Sequence, residues 1–141
     1  MTNSSSIDPV TIQAYRETHY IVESETPVTL RVGERNVALA ALHKEAGVES
    51  SAFVTAWNPF SQKHDDDLNA RRQEALADDL ARLGVTVMDG EGKHPVDGWG
   101  EPSFLVLGIS LEAAKELGAR NEQNAIVWAG ADAVPQLVLL R

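Results

Sequence analysis

Two stretches of this chain, Ala52–Trp57 and Ser103–Ile109, carry apolar side chains on both parities. In the first, Phe53 and Trp57 share one parity, and Ala52, Val54 and Ala56 share the other. Successive strand side chains point to opposite faces of a sheet. A strand apolar on both parities is therefore buried on both faces and sits centrally, not at an edge. Whatever else this sequence forms must extend the sheet around these two strands and cover both of its faces.

The remaining elements follow from local signals. Asp8-Pro9 opens a helix running to about Glu17, with Asp8 placed to accept from the first free N–H groups and Pro9 at the first helical position. His19–Glu23 and Val28–Val32 are β-rich runs separated by Ser24-Glu25-Thr26-Pro27, the pattern of a hairpin. Asn36–Ala46 reads as a helix with Gly47 as its C-cap. Asn58-Pro59 ends the first two-sided strand. Asp65–Leu83 is the longest helix, closed by Gly84. Val85–Met88 reads as a strand, followed by a glycine-rich loop from Asp89 to Gly100. Ser110 caps a helix over Leu111–Ala119, and Ala125–Trp128 and Gln136–Leu140 are strands.

The central order is thus β, α, β, β, α, β. A right-handed crossover makes the strand after Gly84 parallel to the one ending at Trp57, and the next strands return antiparallel. This is the split β-α-β, or ferredoxin-like, arrangement. The expectation is one α+β domain over residues 8–141, with a mixed or antiparallel sheet, a ferredoxin-like core, and an added N-terminal hairpin and helices. Residues 1–7 are expected to be disordered. The terminal run Gln136–Leu140 is expected to be covered by the hairpin, giving a monomer or a weak homodimer.

Composition narrows the function. The chain has 141 residues, enough for one domain, and a net charge of −9. That charge argues against nucleic acid and against anionic membranes as partners. It is also sparse for a DNA mimic. There are no cysteines, which excludes disulfides, thiolate metal sites and a cysteine nucleophile. The apolar runs are far shorter than the ~20 residues a membrane span needs. Met1–Ser6 lacks the basic and apolar regions of a signal peptide, so a soluble, cytoplasmic protein is expected.

Chain direction brings the polar residues of several segments to one end of the sheet. Asn58 and Ser61 follow the first central strand, and Asn69 and Arg72 lie near the start of the long helix. Glu101 and Ser103 open the second central strand, and Gln123 precedes the strand over Ala125–Trp128. On a helical projection, Leu68, Ala75, Leu76, Leu80 and Leu83 share a sector with Asp65, Asn69 and Arg72. The inward face is then apolar in its C-terminal half and polar in its N-terminal half. Asn58, Ser61, Asn69, Arg72, Glu101, Ser103 and Gln123 are the candidate ligand-binding residues. Glu101 is the one candidate general base. The plainer alternative is a structural cluster in which Asn58 is a turn residue, Ser61 a cap, and Arg72 an ion-pair partner of Glu101.

Other patterns carry less. His64-Asp65-Asp66-Asp67 lacks the i, i+3 or i+4 spacing that puts metal ligands on one helix face, so no metal site is expected. Gly90, Gly92, Gly98 and Gly100 form no phosphate-binding motif, and no cofactor is implied. Trp57 and Trp99 flank the polar cluster and are placed to wall an apolar pocket.

The strings Phe53-Val54-Thr55-Ala56-Trp57-Asn58-Pro59-Phe60-Ser61, Glu101-Pro102-Ser103-Phe104-Leu105-Val106-Leu107-Gly108 and Gln123-Asn124-Ala125-Ile126-Val127-Trp128 resemble a bacterial family catalogued as domain-of-unknown-function family 3293. Leu30-Arg31-Val32-Gly33 and Asn69 also fit it. The resemblance runs from about Tyr15 onward and implies that these polar strings belong to a family pattern. It carries no activity, so no catalytic residues come with it.

Two readings follow. In the first, the polar edge binds a small anionic ligand: Arg72 holds the anionic group, a helix N-terminus adds N–H donors, and Asn58, Asn69 and Gln123 position the ligand. In the second, the cluster is structural and the chain is a non-catalytic module that meets a protein partner. Neither Ser61 nor Ser103 has a histidine partner in the pattern, so the sequence leaves open whether the protein is an enzyme.

Overall fold

The structure is a computed structural model and describes residues 5–96 and 100–141. Four helices and seven strands are present in the order α1 (Pro9–Glu17), β1 (His19–Val22), β2 (Val28–Leu30), α2 (Val37–Ala46), β3 (Ser51–Val54), α3 (Asp66–Leu83), β4 (Thr86–Lys93), β5 (Gly100–Leu107), α4 (Leu111–Arg120), β6 (Ala125–Ala129) and β7 (Gln136–Leu139). A tight turn over Pro59–Ser61 lies between β3 and α3. No described helix is long and apolar enough to cross a membrane. Ile7, inside the segment expected to be disordered, is buried, and the Ser5 hydroxyl donates to the Arg141 carbonyl at 2.6 Å.

Two N-caps are those the sequence announces: Asp8 accepts from the Val10 N–H, and Ser110 from the Ala113 N–H. Asn36, read as the first helical residue, is instead the N-cap of α2 and accepts from the Leu39 N–H. Gly47 and Gly84 take the left-handed conformation after α2 and α3, where a side chain would be strained.

The seven strands form one sheet in the order β2-β1-β4-β5-β3-β6-β7, and each pairing is antiparallel. The two-sided strands β3 and β5 are neighbours in its interior. Their alternation separates two cores. Phe53, Leu105 and Leu107 join Tyr20, Val22, Leu30, Val127 and Leu39 of α2 on one face. Ala52, Val54, Val106 and Ile126 join Leu76 and Leu80 of α3 and Leu117 of α4 on the other.

Three expectations need correction. First, β4 runs to Lys93 and β5 begins at Gly100, so Asp89–Lys93 and Gly100 of the loop expected over 89–100 are strand. Gly90, Gly92, Glu101 and Pro102 have poor strand propensity, and pairing overrides it: Gly92 stands between Tyr20 of β1 and Glu101 of β5. Second, β7 is not covered by the hairpin. The β1–β2 hairpin adds to β4, and β2 and β7 are the two edges. The sheet nevertheless brings their flanks together, with the Gly33 N–H donating to Pro135 O at 2.8 Å and the Asn36 N–H to Ala133 O at 3.0 Å.

Third, the inward face of α3 is rotated from the projected one. Its buried residues are Asn69, Gln73, Leu76 and Leu80, spaced i, i+4, i+7 and i+11. Leu68 and Leu83 are exposed, and Arg72 lies on the flank, half-buried. Gln73 does what the projection gave to Arg72. Its Oε1 accepts from the Ala56 N–H at 2.9 Å, and its Nε2 donates to Pro102 O at 3.2 Å. It thereby satisfies backbone just beyond the paired part of β3, on both central strands.

Candidate functional site: a cavity between the first helix and the sheet

A cavity of about 360 Å³ lies between α1 and the sheet face that carries Phe53 and Val127. Its walls are Val10 and Ala14 of α1, Tyr20, Phe53, Val127 and Leu137. Its polar lining is Tyr15, Thr18, Thr55, Ser61, Glu101, Ser103 and Gln123. Val10 is 78% exposed, so the cavity meets solvent beside α1.

The space exists because of glycine. Gly90 and Gly92 point to this face of β4. A Cβ on Gly90 would stand 2.7 Å from the Phe53 ring and 2.8 Å from the Ile21 carbonyl, so the ring occupies the place a side chain would take. Gly92 is looser: a Cβ there would meet only Thr18 and Tyr20, at 3.8 and 4.0 Å. Opposite it in register is Glu101, so the neighbouring strand puts no side chain beside that carboxylate. Tyr20 and Phe53 meet edge to face, with ring centroids 5.3 Å apart.

Glu101 is the charged residue of this lining. Burial pushes its carboxyl up to about 7, against a smaller lowering by the hydrogen bond from Asn58. That bond runs from Asn58 Nδ2 to Glu101 Oε1 at 3.3 Å. Ser103, next on the same face of β5, donates to the Glu101 carbonyl at 3.1 Å. Gln123 is buried and donates to Trp57 O and Asn121 O.

The far rim is a strained turn. Asn58, Phe60 and Ser61 all have positive φ, at 46°, 54° and 58°. Non-glycine residues hold that conformation only where their surroundings force it. Here Asn69 grips Asn58, the Asn58 side chain accepts from the His64 N–H at 3.0 Å, and the Phe60 N–H donates to Glu122 O at 2.7 Å. The result presents the Ser61 hydroxyl to the cavity, hydrogen-bonded to the Tyr15 hydroxyl and accepting from Asn124 Nδ2 at 3.3 Å.

The family described as Protein of unknown function (DUF3293) matches residues 54–126, just over half of the chain. The chain belongs to DUF3293. No curated protein and no solved structure matches it. The matched stretch begins at residue 54 rather than near Tyr15; all seven candidate ligand-binding residues lie inside it, whereas Leu30–Gly33, Tyr15, Thr18, Tyr20 and Phe53 lie before it.

Within this DUF3293 chain the sequence-predicted residues separate into three groups. Glu101, Ser61, Ser103 and Gln123 line the cavity. Asn58 and Asn69 lie behind it and lock the turn, Asn69 being 1% exposed. Arg72 is elsewhere: its Nη2 donates to Glu122 Oε1 at 2.8 Å on the half-exposed flank of α3, and the pairing expected with Glu101 does not form. The helical projection misplaced it by about one residue's turn. Ser61 caps no helix, and Asp65 stands at the N-cap of α3. Trp57 does not line the cavity, and Trp99 and Gly98 lie outside the described residues. The aromatic walls are Tyr20 and Phe53, missed because they read as plain strand residues. The signal for them was the i, i+2 pair Gly90 and Gly92, which on a strand clears one face.

Proposed function

We propose that this protein binds a small molecule in the cavity between α1 and the sheet. The observation that carries the reading is a space of about 360 Å³ with apolar walls and converging polar groups, among them a carboxyl displaced from its ordinary range. The anionic ligand expected from the sequence is replaced here, because it required Arg72, and no arginine or lysine among the described residues lines the cavity. The ligand instead has a compact apolar body that packs on Tyr20, Phe53 and Val127, and one polar group for the Glu101 and Ser103 side. The closed Asn58–Asn69 pair belongs to the scaffold of the site rather than to its contacts.

The fold reading that supports this is a single domain with a ferredoxin-like core. The strand order β4-β5-β3-β6, joined by α3 and α4, favours it. The hairpin and α1 are additions that roof one sheet face and create the cavity.

The test is a backbone NMR titration with benzyl alcohol, a neutral probe of the right size class. Saturable shifts centred on Tyr20, Phe53, Ser103 and Gln123 are expected. Absence of saturable shifts there up to the solubility of the probe would remove the reading.

A further inference from the structure

Resting on that cavity reading, we infer that the ligand class is a small organic cation: an apolar body bearing a protonated amine, seated with the ammonium on Glu101. Three observations converge on this. Among the described residues, Glu101 is the charged side chain in the lining, and no lysine, arginine or histidine faces it there. The hydrogen bond given for its carboxylate comes from a neutral amide, Asn58 Nδ2 at 3.3 Å, and the salt bridges of the described residues do not include it. Arg72, the cation the sequence offered, is engaged with Glu122 instead.

A partly buried carboxylate without a cation is unfavourable in its charged form, and a ligand that supplies the cation relieves this. An anionic ligand would add a second negative charge at short range. The surroundings fit a cation in other ways. Gly92, opposite Glu101 in register, leaves space beside the carboxylate. Tyr20 and Phe53 put aromatic rings in the same lining, and ring faces attract ammonium groups. The hydroxyl oxygen of Ser103, two residues along the same face of β5, lies in the same lining and can accept an ammonium proton.

The groups around Glu101 are few enough to make pH dependence informative. Tyr15 comes from α1, Tyr20 from β1, and Phe53 and Thr55 from β3 and the residues just after it. Burial raises the Tyr20 hydroxyl further, so it stays neutral at any working pH. Among the described residues that line the cavity, Glu101 is thus the group whose charge changes near neutrality.

The experiment compares benzylamine, benzyl alcohol and benzoate by NMR titration against the full chain at pH 8. Benzylamine should bind about tenfold tighter than benzyl alcohol, the effect of one charge-assisted hydrogen bond, and benzoate should bind weakest. Glu101→Gln keeps an oxygen for Asn58 and removes the charge. Within that variant the two probes should bind alike, the preference for the amine being lost. An independent arm uses the unmodified protein: the amine preference should shrink by about fivefold between pH 8 and pH 6 as Glu101 takes up its proton. If benzyl alcohol binds and benzylamine binds no tighter, the cation inference is overturned and the cavity reading stands. A preference that persists in Glu101→Gln, or that is unchanged at pH 6, overturns it equally. If neither probe binds at the cavity, both fall.

Discussion

Asn69 holds Asn58 by two reciprocal hydrogen bonds: Asn69 Oδ1 accepts from the Asn58 N–H at 2.9 Å, and Asn69 Nδ2 donates to Asn58 Oδ1 at 2.8 Å. One residue is on a buried helix face and the other in a left-handed turn conformation. The pair fixes the chain between β3 and α3, and that chain carries both Ser61 and the amide that contacts Glu101. Asn69→Ala should therefore destabilise by about 2 kcal/mol, because the part-buried Asn58 N–H loses its acceptor and Asn58 Oδ1 keeps only the His64 N–H. Denaturant unfolding measures it. A change within about 0.5 kcal/mol would show that the turn holds without the pair.

Gln73 and Arg72 are neighbours with opposite expected weight. Gln73→Leu removes the partner of the Ala56 N–H and a donor to Pro102 O in a buried setting, and should lower stability by about 2 kcal/mol. Arg72→Ala removes a half-exposed ion pair and should lower it by no more than about 1 kcal/mol. The same unfolding series would reverse this ranking if Arg72 were the inward residue.

Gly90 and Gly92 should respond differently to the same methyl group. Gly90→Ala drives a Cβ against the Phe53 ring and the Ile21 carbonyl, a backbone atom that cannot step aside, and should cost about 1–3 kcal/mol. Gly92→Ala meets only ordinary contacts and should be neutral or stabilising by up to about 1 kcal/mol. Equal melting temperatures for the two variants would contradict the packing of Phe53 over β4.

Two buried groups should tilt the pH–stability curve in opposite directions. The Glu101 carboxyl titrates near 4.5 when unfolded and near 7 when folded. Between those values the folded chain keeps a proton that the unfolded chain has released. Stability from this group is therefore full below about 4.5 and lost as pH rises to about 7, a change of about 2–3 kcal/mol. Glu101→Gln should accordingly raise the melting temperature at pH 8 and leave it nearly unchanged at pH 4.5. His43 does the reverse. Burial on α2, against the Ser51 hydroxyl at 2.8 Å, holds its imidazole below the ordinary 6.5. Its contribution is present above 6.5 and lost as pH falls. The stability difference between the unmodified protein and His43→Gln should thus shrink below pH 6.5, as read from melting temperatures across pH 5–8.

Much of the fold could be read from local rules because local rules decided it. Asp8, Asn36 and Ser110 cap helices, and Gly47 and Gly84 end them, through contacts within a few residues. The two-sided strands declared their interior positions by parity alone. What could not be read depends on partners distant in sequence. Gly90 and Gly92 are strand residues only because Tyr20, Phe53 and Glu101 surround them. Glu101 and Ser103 were found for the site because strand direction delivers them to it. Arg72 was misplaced because a projection cannot say where a polar helix face ends, and Gln73 reads as a surface residue until the Ala56 and Pro102 backbone is seen beside it. The role of α1 was invisible, since a short amphipathic helix does not announce which sheet face it will roof.

The central claim is that the cavity under α1 is a ligand site, and the measurement closest to it is the set of intermolecular nuclear Overhauser contacts of bound benzylamine at pH 8. The account predicts contacts from the benzyl protons to the rings of Tyr20 and Phe53 and to the Ala14 methyl, all lost in Gly92→Leu, whose side chain would fill the space. Contacts confined to the exposed apolar residues Val37 and Leu83, or contacts that survive Gly92→Leu unchanged, would contradict it.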